Sequence, residues 1–416
     1  MHSIAILSAL LAVGTSVVSG QFPPPPPGSG QTLPMRLSMF SNRHPFATGA
    51  TTCTEEIRIT EATPVIECDV VDANIVVDEN LSGSLKIEGP KQLKKDFTIS
   101  NATKLIGISS SSINSVGGTL KLDGLQLLST FSMVSLKSVS TLKLINLPQL
   151  SGLTLGTEGV TKAKAIIIAD TFISDLSGLN IAQADTIDIS NNAKLTKFDS
   201  GLVNVTKTLR LTNNGNNMQV NMSLLEFAGE VQFRQVKTFD APVLTQVESI
   251  KFNDSPELLS VSANNLTEIS SSLTFINNKK LSKLSFKELK VIKGDMTIQN
   301  NTALKELDGF PKLETCGNIL MRGNFEDVKV DSLKDVKGSA IASSTTDIST
   351  FCNFFSKLKT DGAIRGKQSC TSNNKNANEG GSGGQSSTQE KDAAGIVSVN
   401  MALLGLAVFA GFAQML

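Results

Sequence analysis

The chain contains neither tryptophan nor tyrosine among its 416 residues, and only two histidines, His2 and His44. Without indole or phenol rings, a stacking platform for neutral sugars has only phenylalanine to draw on. With one histidine in the leader and the other in a proline-rich segment, a Ser-His-Asp triad or a histidine metal site has nothing to build from. Basic and acidic residues balance at 38 each, so the chain carries no electrostatic footprint for nucleic acid. The one glycine-dense run, GGSGG at 380–384, lies in a polar linker and opens no helix, which excludes a phosphate-cradling loop. No metal or cofactor is expected.

The ends are informative. Residues 1–20, MHSIAILSALLAVGTSVVSG, hold an apolar run, no acidic residue and a small-residue finish, the pattern of a secretory signal peptide. Residues 21–52 open on QFPPPPPGSG, a proline-rich spacer that favours polyproline II. At the other end, NANEGGSGG is followed by the polar QSSTQEKD and then by 393–416, which has no charge. Small residues, a polar spacer and an apolar tail are the requirements of a GPI-anchor signal. A transmembrane helix would normally add basic residues on its cytoplasmic flank, and none follows here. Attachment is expected at Ser382, with Gly381 and Asn378 as alternatives; residues 371–382 form the stalk and 383–416 the removed propeptide. The plasma membrane, through this anchor, is therefore one expected partner.

Seven N-x-S/T sequons fit a secreted chain: Asn80, Asn101, Asn204, Asn221, Asn253, Asn265 and Asn300. Asn253 is the weakest, because Pro256 follows its Ser255. Of five cysteines, four flank the region 53–370, and an oxidising compartment favours Cys53–Cys68 and Cys352–Cys370 as disulfides. Each closes a loop of about 16 to 19 residues, for which chain entropy contributes roughly 3 kcal/mol. Cys316 is left over and reads as a buried free thiol.

Between the cysteines one phrase recurs: TIDISNNAKLTKF at 186–198, SLTFINNKKLSKLSF at 272–286, DMTIQNNTALKEL at 295–307. Successive copies, beginning at Ser84, Asp96, Thr119, Thr141, Ala165 and onward to Ser339, keep a period near 22 after a first step of 12. Such a period is the signature of a solenoid. The second and fourth positions are apolar, which places them on one face of a strand. The sixth is Asn, Asp or Gly in most copies, residues suited to a corner, where stacked side chains can bond along a ladder. So the expected fold is all-β: a right-handed parallel β-helix or leucine-rich-repeat-like solenoid of about 12 coils, with little helix. Two sequons, Asn101 and Asn300, fall on the ladder position, and an inward-pointing ladder there would exclude glycan.

The third position of each strand faces outward. Read in this register, it holds Lys86, Lys121, Lys143, Arg210 and Lys251, and a single acid, Asp188. One acid on the face does not make the carboxylate pair that glycoside hydrolysis needs. Asp188 beside Arg210 reads as a cross-coil ion pair. The basic strip offers a possible ligand face for an anionic glycan, although lysines also keep exposed sheets from aggregating.

The leader, the paired cysteines ahead of the first strand, the x-L-x-L-x-N units, the terminal CNFFSKLKTDGAIRGKQSC and the apolar tail together resemble the fungal receptor-L-domain cell-wall proteins, the extracellular-mutant and sporulation-specific group. The resemblance covers about residues 53–416. It implies a fold like the L domains of growth-factor receptors and a GPI-anchored glycoprotein of the cell surface, plasma membrane or wall, needed for wall organisation and not an enzyme. A receptor-like module that binds a glycan or protein partner through its sheet is the alternative, with wall polysaccharide a possible partner.

Overall fold

The computed structural model describes residues 50–379. The leader, most of the proline-rich spacer, Gly381, Ser382 and the apolar tail lie outside the described residues. The described chain winds as a β-solenoid of about 13 turns, each of about 22 residues. At roughly 4.8 Å per turn the stack is roughly 60 Å long. Among the described residues no helix is long and apolar enough to cross a membrane.

All strand pairings are parallel, and the register follows the alternation in the sequence. Leu120, Leu142, Ile166, Ile187, Leu209, Val231, Ile250, Leu273, Met296 and Ile319 stack turn upon turn on the main wall. All of them are buried, as are the fourth-position residues two further on. Phenylalanine fills the middle of this core. Phe233, Phe252 and Phe275 occupy consecutive turns, and Phe252 stacks on Phe275 at 5.4 Å between ring centroids. A second wall, after the corner, carries short strands such as Met218–Asn221, Val236–Asp240, Ser260–Ser262 and Lys283–Ser285. A third, two-residue ladder precedes each main strand, as in Val116, Val139 and Ala163. A bend with a shifted register separates this ladder from the main strand. Glycine is required at this bend at Gly294 and Gly317, where a Cβ would lie 2.5 and 2.4 Å from the carbonyl oxygen of the turn below.

The corner gives the doubled asparagine two different jobs. The first residue of each pair takes the left-handed conformation: Asn191, Asn213, Asn277 and Asn300 have φ between 54° and 61°. Asparagine tolerates this region far better than bulky residues. The second turns inward. Asn192, Asn278 and Asn301 are at most 1 % exposed. Asn278 Nδ2 donates to the Phe252 carbonyl at 3.0 Å, and its Oδ1 accepts from the Ser255 N–H at 3.0 Å. Each inner asparagine thus satisfies backbone groups that the corner withdraws from the sheet, and buried polar groups require such partners. Thr171, Asn192 and Asn214 form one buried ladder, and Ser255, Asn278 and Asn301 a second.

Two expectations need correction. Gly83–Lys86 is not the first copy of the main strand, because it pairs with Leu105–Ser110 on the second wall. The step of 12 residues is half a turn, and the copy in register with Phe97–Ser100 is Ile75–Val77. Residues 371–379 are not stalk: Asn374 N–H donates to Ser344 O at 2.8 Å, and Ala377 is 2 % exposed. Asparagine-rich composition suggested a linker, but these side chains satisfy the last turns instead. The expected ladder of corner side chains is present, from Asn191 to Asp170, Asn277 to Asp254 and Asn300 to Asn277, and the inward-pointing ladder is a second one, a residue later.

Both expected disulfides are present, Cys53–Cys68 and Cys352–Cys370. The second ties the one helix among the described residues, Ser349–Thr360, to their last strand, Gln368–Thr371. Phe351 and Phe355 of that helix are buried, so it closes the C-terminal end of the core.

Candidate functional face and groove

The outward third position forms one column across the main wall: Thr98, Lys121, Lys143, Ile167, Asp188, Arg210, Gln232 and Lys251 lie in direct register. Lys86 is not in it. It projects from the second wall, in register with Ser109. Two other cations of the strip are engaged. Lys121 Nζ lies 3.1 Å from Asp123, and Arg210 holds Asp188 bidentately, with Nε donating to Oδ1 at 3.0 Å and Nη2 to Oδ2. That hydrogen bond to Asp188 raises the guanidinium pKa above its ordinary value. The cross-coil ion pair is therefore present, and the acid faces a cation. Lys143 and Lys251 are the remaining members, with no ion-pair partner among the described residues, and five turns separate them. The strip is a set of single charges, not a continuous band.

A deeper concavity lies beside it, along the bend between the two-residue ladder and the main strands. It has a volume of about 690 Å³ and runs across turns from Gln92 to Gln183. Sequence reasoning missed it because the bend interrupts the period-two alternation. The available signal was the repeated x-Val-small pattern of Ser115-Val116-Gly117 and Ser138-Val139-Ser140. Small residues there leave space that larger side chains would fill.

The sequons divide by environment. Asn80, Asn101, Asn221 and Asn265 are exposed, while Asn204, Asn253 and Asn300 are half-buried. Asn101 is a corner residue that faces solvent, so its ladder position does not exclude glycan. Asn300 Nδ2, the nitrogen that would carry glycan, donates to Asn277 Oδ1 at 2.8 Å. Asn253 Oδ1 is buried without a hydrogen-bond partner, and the Ser255 of its sequon is fully buried. Cys316 is buried beneath the bend, and burial pushes its thiol up to about 12. Asn378 is held to the body by its Nδ2, 2.6 Å from Asn324 Oδ1. Among the described residues no cluster of His, Cys, Asp or Glu could hold a metal ion.

Comparison with known proteins gives relatives over most of this length. The chain is 30% identical over 313 residues to the cell surface GPI-anchored protein ECM33 of Candida albicans, covering 74% of this chain and 75% of that one. It is 29% identical over 304 residues to protein ecm33 of Aspergillus fumigatus, covering 73% and 75%. It is 32% identical over 313 residues to sporulation-specific protein 2 of Saccharomyces cerevisiae, covering 74% and 61%. No family model matches the chain, and no solved structure does.

Proposed function

The chain belongs to the fungal family of cell-surface proteins that includes the ecm33 and sporulation-specific proteins, and on that premise we propose that it is a GPI-anchored, non-enzymatic glycoprotein that organises the fungal wall. The carrying observation is the Candida albicans relative, named for a GPI anchor and matched along three quarters of its length. The location is the cell surface or wall.

Further support comes from the geometry. The solenoid is closed at both ends by disulfides and, at the C-terminus, by a helix, as suits a scaffold outside the cell. The one acid of the main column is neutralised by Arg210, which leaves no free carboxylate in that column to serve as a general acid. The hydrogen bond from Asn378 to Asn324 supports attachment at Ser382 or Gly381 over Asn378. The fold would then stand close to the lipid surface.

Treatment of intact cells with phosphatidylinositol-specific phospholipase C, and then with β-glucanase, tests this reading. Release by the phospholipase places the protein on the membrane through its anchor. Release only by glucanase makes it a covalent wall component. Release by neither, with the apolar tail retained on the extracted chain, refutes the anchor.

A further inference from the structure

We propose that the groove along the bend, between Gln92 and Gln183, binds an extended, unbranched anionic polysaccharide lying parallel to the solenoid axis. Three observations converge on that ligand. The first is charge. Lys94, Lys162 and Lys164 line the groove and no carboxylate does. Lys94 is paired with Asp72 at 3.0 Å, but Lys162 and Lys164 have no ion-pair partner among the described residues. The nearest acid further along the bend, Asp185, is already held by Thr206 at 2.8 Å and Lys207 at 3.3 Å. Asp185 also attracts Lys164, though its hydrogen-bond partners are Thr206 and Lys207. Two cations of one turn, Lys162 without an ion-pair partner among the described residues and Lys164 only weakly compensated, therefore face a concave wall, an arrangement that concentrates an anionic ligand.

The second is hydrogen bonding. Ser115 on one turn and Ser138 and Ser140 on the next present hydroxyl groups to the same groove. A hydroxyl both donates and accepts, which matches the hydroxyls of a sugar without selecting one orientation.

The third is spacing. Turns of the solenoid repeat every ~4.8 Å, close to the length of one pyranose in an extended chain, so successive sugars meet the same register position on successive turns, held by the polar side chains of Gln92, Ser115, Ser138 and Lys162. The floor is open because Gly117 and Ala163 carry little or no side chain, and a backbone-lined trough admits a flat ribbon. A compact monosaccharide would use one turn and forgo the repeat; a polymer uses all of them. No aromatic residue lines the groove, so charge and hydroxyl contacts must supply the affinity.

The test uses the full-length protein purified in detergent, with linear polygalacturonate as the anionic probe, a linear neutral β-glucan and polyaspartate as comparisons, and calorimetry as the readout. Polygalacturonate is expected to bind, to bind about tenfold or more tightly than either comparison, and to weaken as salt screens the lysines. The pair Lys162→Glu and Lys164→Glu, both exposed, should weaken it about tenfold with the thermal transition unchanged. Reversing Lys143 and Lys251 on the main wall makes the same change in net charge and should leave binding within about twofold. Equal loss from the two pairs, equal affinity for polyaspartate, preference for the neutral glucan, or no binding would each overturn the proposal. The reading rests on a cell-surface role only for access to the ligand. Phospholipase release tests that role separately, since neither lysine pair touches the anchor.

Discussion

Replacing Asn278 by alanine should destabilise the centre of the solenoid by about 2 to 5 kcal/mol. The magnitude follows from what the side chain satisfies. Its Oδ1 accepts from the Ser255 N–H, and its Nδ2 donates to the Phe252 carbonyl and to Asn301 Oδ1, all at 3.0 Å. Asn278 and Ser255 are fully buried, so no water replaces these bonds. Alanine strands one backbone donor and one backbone acceptor, each worth about 1 to 3 kcal/mol when buried and unpaired. Asn301 Oδ1 loses less, because it keeps the N–H of residue 278.

The neighbouring residue supplies the control. Asn277 donates to Asp254 Oδ1 at 2.9 Å and accepts from Asn300 Nδ2 at 2.8 Å but is half-exposed, and its φ of 61° suits glycine. Asn277→Gly should therefore cost less than about 1 kcal/mol, since water can replace both bonds and the backbone is unstrained. The chain has no tryptophan or tyrosine, so intrinsic fluorescence is a poor probe; urea unfolding followed by far-UV circular dichroism is suitable. With an m-value near 3 kcal/mol/M, a loss of 3 kcal/mol moves the midpoint by about 1 M. Turns couple mainly to their neighbours, so hydrogen exchange should quicken in peptides covering 252–301 and hardly at all near either disulfide. Equal midpoint shifts for the two variants would refute the division of labour between the asparagines.

Three further outcomes are expected. Native Cys316 should resist iodoacetamide at pH 8 and react fully after denaturation, because its thiol titrates near 12; alkylation of the native protein at the rate of a free thiol would contradict this burial. Glycopeptide mass spectrometry should find glycan on Asn80, Asn101, Asn221 and Asn265 and none on Asn253, whose Ser255 is buried; an occupied Asn253 would count against the structure of that corner. Asp347 accepts hydrogen bonds from the Ser349 N–H and the Ser372 hydroxyl, which hold its carboxyl below the ordinary value of 3.8. A carboxylate depressed in the folded state stabilises above its unfolded pKa and loses that contribution as pH falls through the folded one. The C-terminal cap should then become sensitive to pepsin as pH falls below 3.8, and Asp347→Asn should remove that dependence.

How far the sequence could be read depended on whether a residue's role was periodic. Alternation at Leu142 and Leu144, or Phe275 with Leu273, announces one buried face, and the parallel stack follows because copies at one period bury that face only against each other. The same logic failed at Leu85 and Ile87, since both walls of the coil alternate and period two cannot say which wall a strand joins. Registering Lys86 with Lys121 made the basic strip look longer than it is. The ion pairs that break the strip arise partly within one strand, as Lys121 to Asp123, and a column read across turns does not see them. The doubled asparagine shows the opposite limit. Its repetition was visible, but which member turned inward depends on one left-handed residue, and that choice is made by the corner and not by composition. The groove was least legible of all, because it is formed by what Gly117 and Ala163 lack, and periodicity records the side chains that fill space. A binding surface on a solenoid should therefore be sought where the repeat is interrupted by small residues, and the columns of its regular strands should be searched second.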